Sequence, residues 1–137
     1  MDHADPQVAV IGAGISGLTA GKMLKDYGVR YTTFETSDRI GGNWAFGNPN
    51  GHSSAYRSLH IDTSKDRLSF KDFPMPEHFP SFPHHSEVKA YLDDYADAFG
   101  LLGQIEFGNG VVHAERGEHG GWRITDQAGA ERVFDLL

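Results

Sequence analysis

The spacing of apolar positions changes several times along the chain, and each change marks an element. Gln7–Ile11 (QVAVI) is almost continuously apolar and rich in valine and isoleucine, the pattern of a strand covered on both faces. From Ile15 the pattern becomes helical. Gly17, Ala20, Gly21 and Leu24 fall at i, i+3, i+4 and i+7, which predicts a helix from Ile15 or Ser16 to Tyr27 with one small, apolar face. Gly28 stops it. A second strand is expected at Tyr31–Glu35. Strand, helix and strand within about 30 residues make a βαβ unit, which crosses over right-handed in a parallel sheet.

Periodicity then fades. From Thr36 to Pro83 the chain is interrupted by Gly41, Gly42, Gly47, Gly51 and a cluster of prolines. A connection this long in a compact domain is usually functional. Helical spacing returns in SEVKAYLDDYADAFG, where Val88, Tyr91, Leu92, Tyr95 and Phe99 form the stripe to be buried. Ser86 is the expected cap and Gly100 the stop. Ile105–Phe107 reads as a third parallel strand. Val111–Arg116, Trp122–Thr125 and Arg132–Phe134 are short runs separated by the turn sequences GEHGG and DQAGAE, a β-meander within residues 108–135. The expected fold class is α/β: a Rossmann-like βαβ with a parallel sheet, plus a meander. Residues 1–137 are read as one partial N-terminal domain, with a flexible tail at 1–6 and a long loop at 36–83.

Composition changes this picture little. The net charge of −7 argues against unaided binding to nucleic acid. The chain has no cysteine, which excludes a thiolate metal site or a Cys nucleophile and fits a reducing, cytoplasmic setting. No apolar run approaches the ~18 residues of a membrane span. The eight histidines match no metal-ligand spacing, and the neighbours His84 and His85 are expected to point in different directions.

The chemistry sits where the first strand turns into the first helix. Gly12, Gly14 and Gly17 form G-x-G-x-x-G between them. That arrangement gives a tight turn, backbone access for a pyrophosphate and close helix–strand packing. The helix N-terminus then favours an anion. An acidic residue at the end of the second strand, Glu35, suits a ribose hydroxyl. Together these features predict a dinucleotide site without separating NAD from FAD. RIGGNW (Arg39–Trp44) follows. Its glycine pair lets backbone approach a ligand, and its tryptophan offers a wall for a flat ring.

From Val8 onward the chain resembles the flavin-containing monooxygenases and their Baeyer–Villiger relatives. VIGAGISG, FE at Phe34-Glu35, RIGGNW, HIDTSKD at His60–Asp66 and DFPMPEHFPSFPHHSEVKAYL at Asp72–Leu92 carry the resemblance. It implies FAD held by Gly12, Ala13, Gly14, Ile15, Ser16, Gly17 and Glu35, with Gly42, Asn43 and Trp44 beside the flavin. Asp62, where relatives often carry Asn, and Thr63 are expected near the flavin, and Asp62 is the one candidate for a catalytic role. The resemblance also implies NADPH as reductant and a flavin hydroperoxide that oxygenates an amine nitrogen or sulfide, or inserts oxygen beside a ketone. No second G-x-G-x-x-G for NADPH lies in the chain. The sequence is therefore read as an N-terminal portion, inactive alone, with strand Gln7–Ile11 left as an open sheet edge prone to self-association. Two alternatives stand beside it: an NAD-linked Rossmann dehydrogenase and a non-catalytic nucleotide-binding module.

Smaller features have structural expectations. Phe73, Met75, Phe79 and Phe82 should pack the proline-rich loop onto its own domain. Lys65 and Arg67 are read as surface charge, and Trp122 as core.

Overall fold

The computed structural model describes residues 5–118 and 120–137. Residues 1–4 of the expected tail, and His119 in the GEHGG turn, lie outside them. Strand β1 (Gln7–Ile11), helix α1 (Ile15–Asp26) and strand β2 (Arg30–Phe34) form the βαβ unit. β1 and β2 pair in parallel from Gln7↔Arg30 to Ile11↔Phe34. Strand β3 (Ile105–Glu106) adds to β2 in parallel. It is one residue shorter than expected, and Phe107 is exposed. The long loop contains a 3-10 turn at Gly42–Trp44 and a four-residue helix α2 (Lys65–Leu68).

The meander is β4 (Val111–Arg116), β5 (Trp122–Asp126) and β6 (Glu131–Phe134), antiparallel in that order. Trp122 and Ile124 pack with Phe34 and Phe134 in a core shared between the two sheets. Arg132 fastens the sheets together. Its guanidinium lies over the Phe34 ring at 4.5 Å and donates to Glu106 at 2.7 and 2.8 Å. This cation holds the Glu106 carboxyl below its usual range. Asn109 bonds both Glu106 and Asp126 at 3.0 Å, and its bond to Asp126 is the chief cause of that group's lowered pKa.

Helix α3 (His85–Ala98) carries the main core. Val88, Tyr91, Leu92, Tyr95 and Ala96 are buried, and Phe99 is packed beside them. Each fully buried large apolar side chain contributes about 1.5–3 kcal/mol. The helix starts two residues earlier than a Ser86 cap would place it. His84, not Ser86, is the N-cap: its ring accepts from the Ser86 N–H, and the Glu87 carboxylate accepts from the His84 N–H. A ring nitrogen thus replaces the expected hydroxyl, and the buried His85 occupies the first helical position. Contrary to the expectation that His84 and His85 diverge, their ring centroids are 4.0 Å apart.

The proline-rich loop is tied down by polar groups as well as rings. Tyr91 Oη donates to the Phe73 carbonyl at 2.5 Å and accepts from the Phe70 N–H at 2.9 Å. Lys65 is not simple surface charge. Its ammonium donates to the carbonyls of Glu77 and Phe79, both at 2.7 Å, and of Pro76 at 3.4 Å. Met75 is buried and Phe73 and Phe79 pack against the core, whereas Phe82 is exposed.

Strand β1 is less open than expected. Val8 pairs in parallel with Leu136, and the Ala9 N–H donates to the Leu136 carbonyl at 2.9 Å. The Asp135 N–H donates to the Gln7 carbonyl at 2.9 Å. Beyond this pairing an apolar groove of about 510 Å³ runs along β1, lined by Val8–Ile11, Ala20, Met23, Leu24 and Leu137. The order of parallel segments is therefore β3, β2, β1, Leu136, that of the first four positions of a doubly wound sheet.

Candidate functional site

The site grows from the β1–α1 turn. Gly12 has φ +90°, and a Cβ on Gly17 would overlap the Gly12 carbonyl oxygen. The turn is therefore closed against the first helical residues, and only glycine allows it. Gly14 is the N-cap of α1, no side chain caps it, and no acidic residue lies in the first turn. The helix thus presents its positive end and its unsatisfied N–H groups to whatever lies in front.

In front lie two cavities that share Ile11, Gly12, Gly14 and Asn43 as lining. One, of about 300 Å³, is bounded by Gly12–Gly17 without Ala13, by Gly41, and by Trp44. The other, of about 330 Å³, extends to Glu35, Thr36, Asn48, Asn50, His52, Gly110 and Val111. Together they run from an aromatic wall at Trp44, past the helix terminus, to a buried carboxylate.

Glu35 is 6% exposed. One carboxylate oxygen accepts from the Ala13 N–H and the other from the Ser37 N–H, each at 2.7 Å. Thr36 Oγ1 adds a longer bond at 3.2 Å. A lone pair remains on the oxygen bonded to Ala13, free for a ligand hydroxyl.

The second glycine pair does something the sequence did not disclose. The Gly41 N–H donates to the Ala13 carbonyl at 2.9 Å, and a Cβ on Gly42 would stand 3.1 Å from the Gly14 Cα. Gly41 and Gly42 therefore dock on the first glycine loop and hold Asn43 and Trp44 over its mouth. Asn43 anchors the next stretch, accepting from Ser54 N–H at 3.1 Å and from Ser53 Oγ at 2.8 Å through its carbonyl.

Of the residues expected at the site, Gly12, Gly14, Ile15, Ser16, Gly17, Glu35, Gly42, Asn43 and Trp44 line these cavities. Ala13 is fully buried beneath them. Asp62 and Thr63 stand apart: both are exposed, and neither lines either cavity. Asn48, Asn50 and His52 were missed. Asn48 is buried and accepts from Ser37 Oγ at 2.7 Å, while Asn50 donates to Thr36 Oγ1 at 2.9 Å. Only the polar character of GNPNGH, following a glycine pair, marks them in the sequence.

Comparison with known proteins decides the family. The model of the family "Flavin-binding monooxygenase-like" matches residues 5–136. The chain belongs to that family. Its members are oxidoreductases that depend on FAD and NADPH. Among curated relatives, flavin-containing monooxygenase 5 of Rattus norvegicus is 40% identical over 95% of this chain and 26% of its own length. Dimethylaniline monooxygenase (N-oxide-forming) 2 of Cavia porcellus is 41% identical over 96% and 26%. The chain thus spans about a quarter of these relatives (26%). The S-allyl-L-cysteine S-oxygenase of Allium sativum superposes with a TM-score of 0.86 at 29% identity, over 96% of this chain and 35% of that one. An oxidised steroid monooxygenase bound to NADP gives 0.81 at 26% identity, over 94% and 25%.

Within the flavin-binding monooxygenase family the two joined cavities have an obvious candidate occupant, and their chemistry fits it. An uncapped helix terminus suits a pyrophosphate, a buried carboxylate suits a ribose, and an indole wall suits a flat ring. Among the described residues no helix is long and apolar enough to cross a membrane, and no cluster of three or more His, Asp or Glu could hold a metal.

Proposed function

We propose that this chain is the FAD-binding portion of a monooxygenase that oxygenates soft nucleophiles, an amine nitrogen or a sulfide, or ketones. One observation carries the reading. The uncapped N-terminus of α1 faces two joined cavities that end at Glu35 on one side and at Trp44 on the other. FAD, when bound, supplies the redox and oxygen chemistry, and NADPH reduces it.

The chain's own residues bind and orient. The N–H groups of Ile15, Ser16 and Gly17 receive the pyrophosphate. Glu35 accepts from the adenosine ribose and disfavours a 2′-phosphate. Gly42, Asn43 and Trp44 wall the flavin end and limit water there. Asp62 and Thr63 line neither cavity and have no part in this seat. The relatives named for N-oxide formation and for S-oxygenation support a soft-nucleophile substrate. The absence of cysteine supports a cytoplasmic setting, and the net charge of −7 supports a partner other than nucleic acid.

Alone, the chain binds FAD without turnover, and its apolar β1 groove promotes self-association. Titration with FAD should quench flavin fluorescence and raise the melting temperature. If both stay unchanged, the cofactor reading fails. A melting temperature raised by NAD and not by FAD would favour a dehydrogenase domain. NADPH consumption with an oxygenated product from pure 137-residue material would overturn inactivity. A monodisperse monomer in sedimentation would overturn self-association.

A further inference from the structure

The hydrogen bonds around Glu35 leave its two oxygens unequal. An ionised carboxylate has about four lone-pair sites, two on each oxygen. Oε2 accepts from the Ala13 N–H at 2.7 Å. Oε1 accepts from the Ser37 N–H at 2.7 Å and from the Thr36 hydroxyl at 3.2 Å. Oε1 is thus filled, while Oε2 keeps one place.

What fills Oε1 is decided further along the chain. Asn50 Oδ1 accepts from the His52 N–H at 3.0 Å. A backbone N–H only donates, so this bond fixes which way the amide faces. Its other end, Nδ2, therefore faces Thr36 Oγ1, at 2.9 Å. An amide NH2 only donates as well, so Oγ1 accepts there, and its single proton is left for Glu35. The bonds run one way, from His52 through Asn50 and Thr36 to Glu35, and such chains polarise and strengthen one another. The Ser37 hydroxyl stays out of this line. It donates to Asn48 Oδ1 at 2.7 Å, an oxygen that also accepts from the Asn50 N–H at 3.3 Å. Thr36, Asn48, Asn50 and His52 line the same cavity as Glu35, so the relay borders the place where a ligand would lie.

We propose that Asn50 and Thr36 are positioning residues: they commit Glu35 Oε1, so that the carboxylate offers a single acceptor, Oε2, to one of the two adjacent hydroxyls of the adenosine ribose. The inference rests on the reading that FAD occupies these cavities. Two open oxygens would bridge both hydroxyls of a ribose. One open oxygen holds one hydroxyl and is indifferent to the other. Thr36 acts through Glu35, and Asn50 acts through Thr36.

The test titrates the whole chain, at about pH 8 so that carboxylates are ionised, with FAD and with two analogues lacking the 2′- or the 3′-hydroxyl of the adenosine ribose. Flavin fluorescence reports binding. One analogue should bind about tenfold more weakly than FAD, and the other within about twofold of it. If FAD binds and the two analogues are weakened alike, or neither is weakened, the proposal falls while the cofactor reading stands. If FAD does not bind, both fall. Asn50→Asp keeps the shape of the side chain but replaces the donor with an acceptor. The Thr36 hydroxyl then turns toward it and Oε1 opens. The three nucleotides carry equal charge, so the added carboxylate weakens them alike and the ratio between the two analogues is the readout. That ratio should fall to about threefold or less. Thr36→Val, which lacks the hydroxyl, should lower it in the same way, and Thr36→Ser should restore it. Affinities that drop together at an unchanged ratio would mean that the relay only holds the loop, and would overturn the proposal. Should a variant fail to fold, the two analogues in the unaltered chain decide.

Discussion

The cradle around Gly12–Gly17 and the loop packed against α3 are held by opposite means. The cradle is held by backbone approach: Gly41 bonds Ala13, Gly42 crowds Gly14, and Gly17 leaves no room for a Cβ against Gly12. The loop at 65–83 is held by side chains reaching backbone, with the Lys65 ammonium on three carbonyls and Tyr91 Oη on two groups. Backbone contact is exacting about which residue occupies a position. Side-chain clamps can be shortened and partly replaced by water. A ligand site needs the first kind of rigidity, and a loop with exposed carbonyls accepts the second.

The contrast can be tested by substitution, with the largest effect expected in the turn. Gly17→Ala should destabilise by more than about 3 kcal/mol, because the clashing partner is backbone and cannot rotate away. Chemical denaturation measures this, and a loss under about 1 kcal/mol would erase the distinction. Lys65→Met should cost about 2 kcal/mol, since charged hydrogen bonds are lost while water reaches part of the freed carbonyls. Lys65→Arg should recover part of that loss.

Alkali sharpens the side-chain half. Burial pushes the Tyr95 hydroxyl up to about 12 from 10.0. The fold thus favours the protonated phenol. The associated stability is complete below about pH 10 and drains away as pH rises to about 12. A stability–pH curve of Tyr95→Phe should decline less steeply there, Tyr31 and Tyr91 being raised by burial as well. The smallest effect on stability belongs to Gly14→Ala. A Cβ there meets Gly42 Cα at an ordinary 3.7 Å, so the change should cost only the N-cap preference for Gly over Ala, about 0.5–1 kcal/mol. The same substitution narrows the pyrophosphate seat, so FAD affinity should drop by about tenfold or more. Equal affinity for FAD would show that this glycine serves the turn alone.

What could be read from sequence divides along the same line. β1, α1 and β2 follow from apolar spacing because a βαβ unit buries its own pattern locally. The glycine loop was legible because its three positions each answer a distinct local demand. Lys65 was not, because its three acceptors lie in an aperiodic loop 11 to 14 residues away. The N-cap at His84 was obscured by Ser86, the residue type that capping statistics favour. The buried His85 packs on Phe46 at 5.0 Å, a contact with no trace in local sequence. The docking of Gly41 and Gly42 onto the first loop was likewise invisible. Their conformational freedom was evident, but the tertiary neighbour that requires it was not.

Glu35 brings both sorts of rigidity into one carboxylate. Its two oxygens tie the start of the glycine loop to the start of the long loop. Neutralising it to Gln would replace one acceptor with an amide donor and set it against one of those two N–H groups. On the proposed function, nucleotide preference would be welded to architecture. If Glu35 does hold the ribose, a lineage seeking to accept a phosphorylated one would first have to rebuild the junction that this carboxylate holds shut.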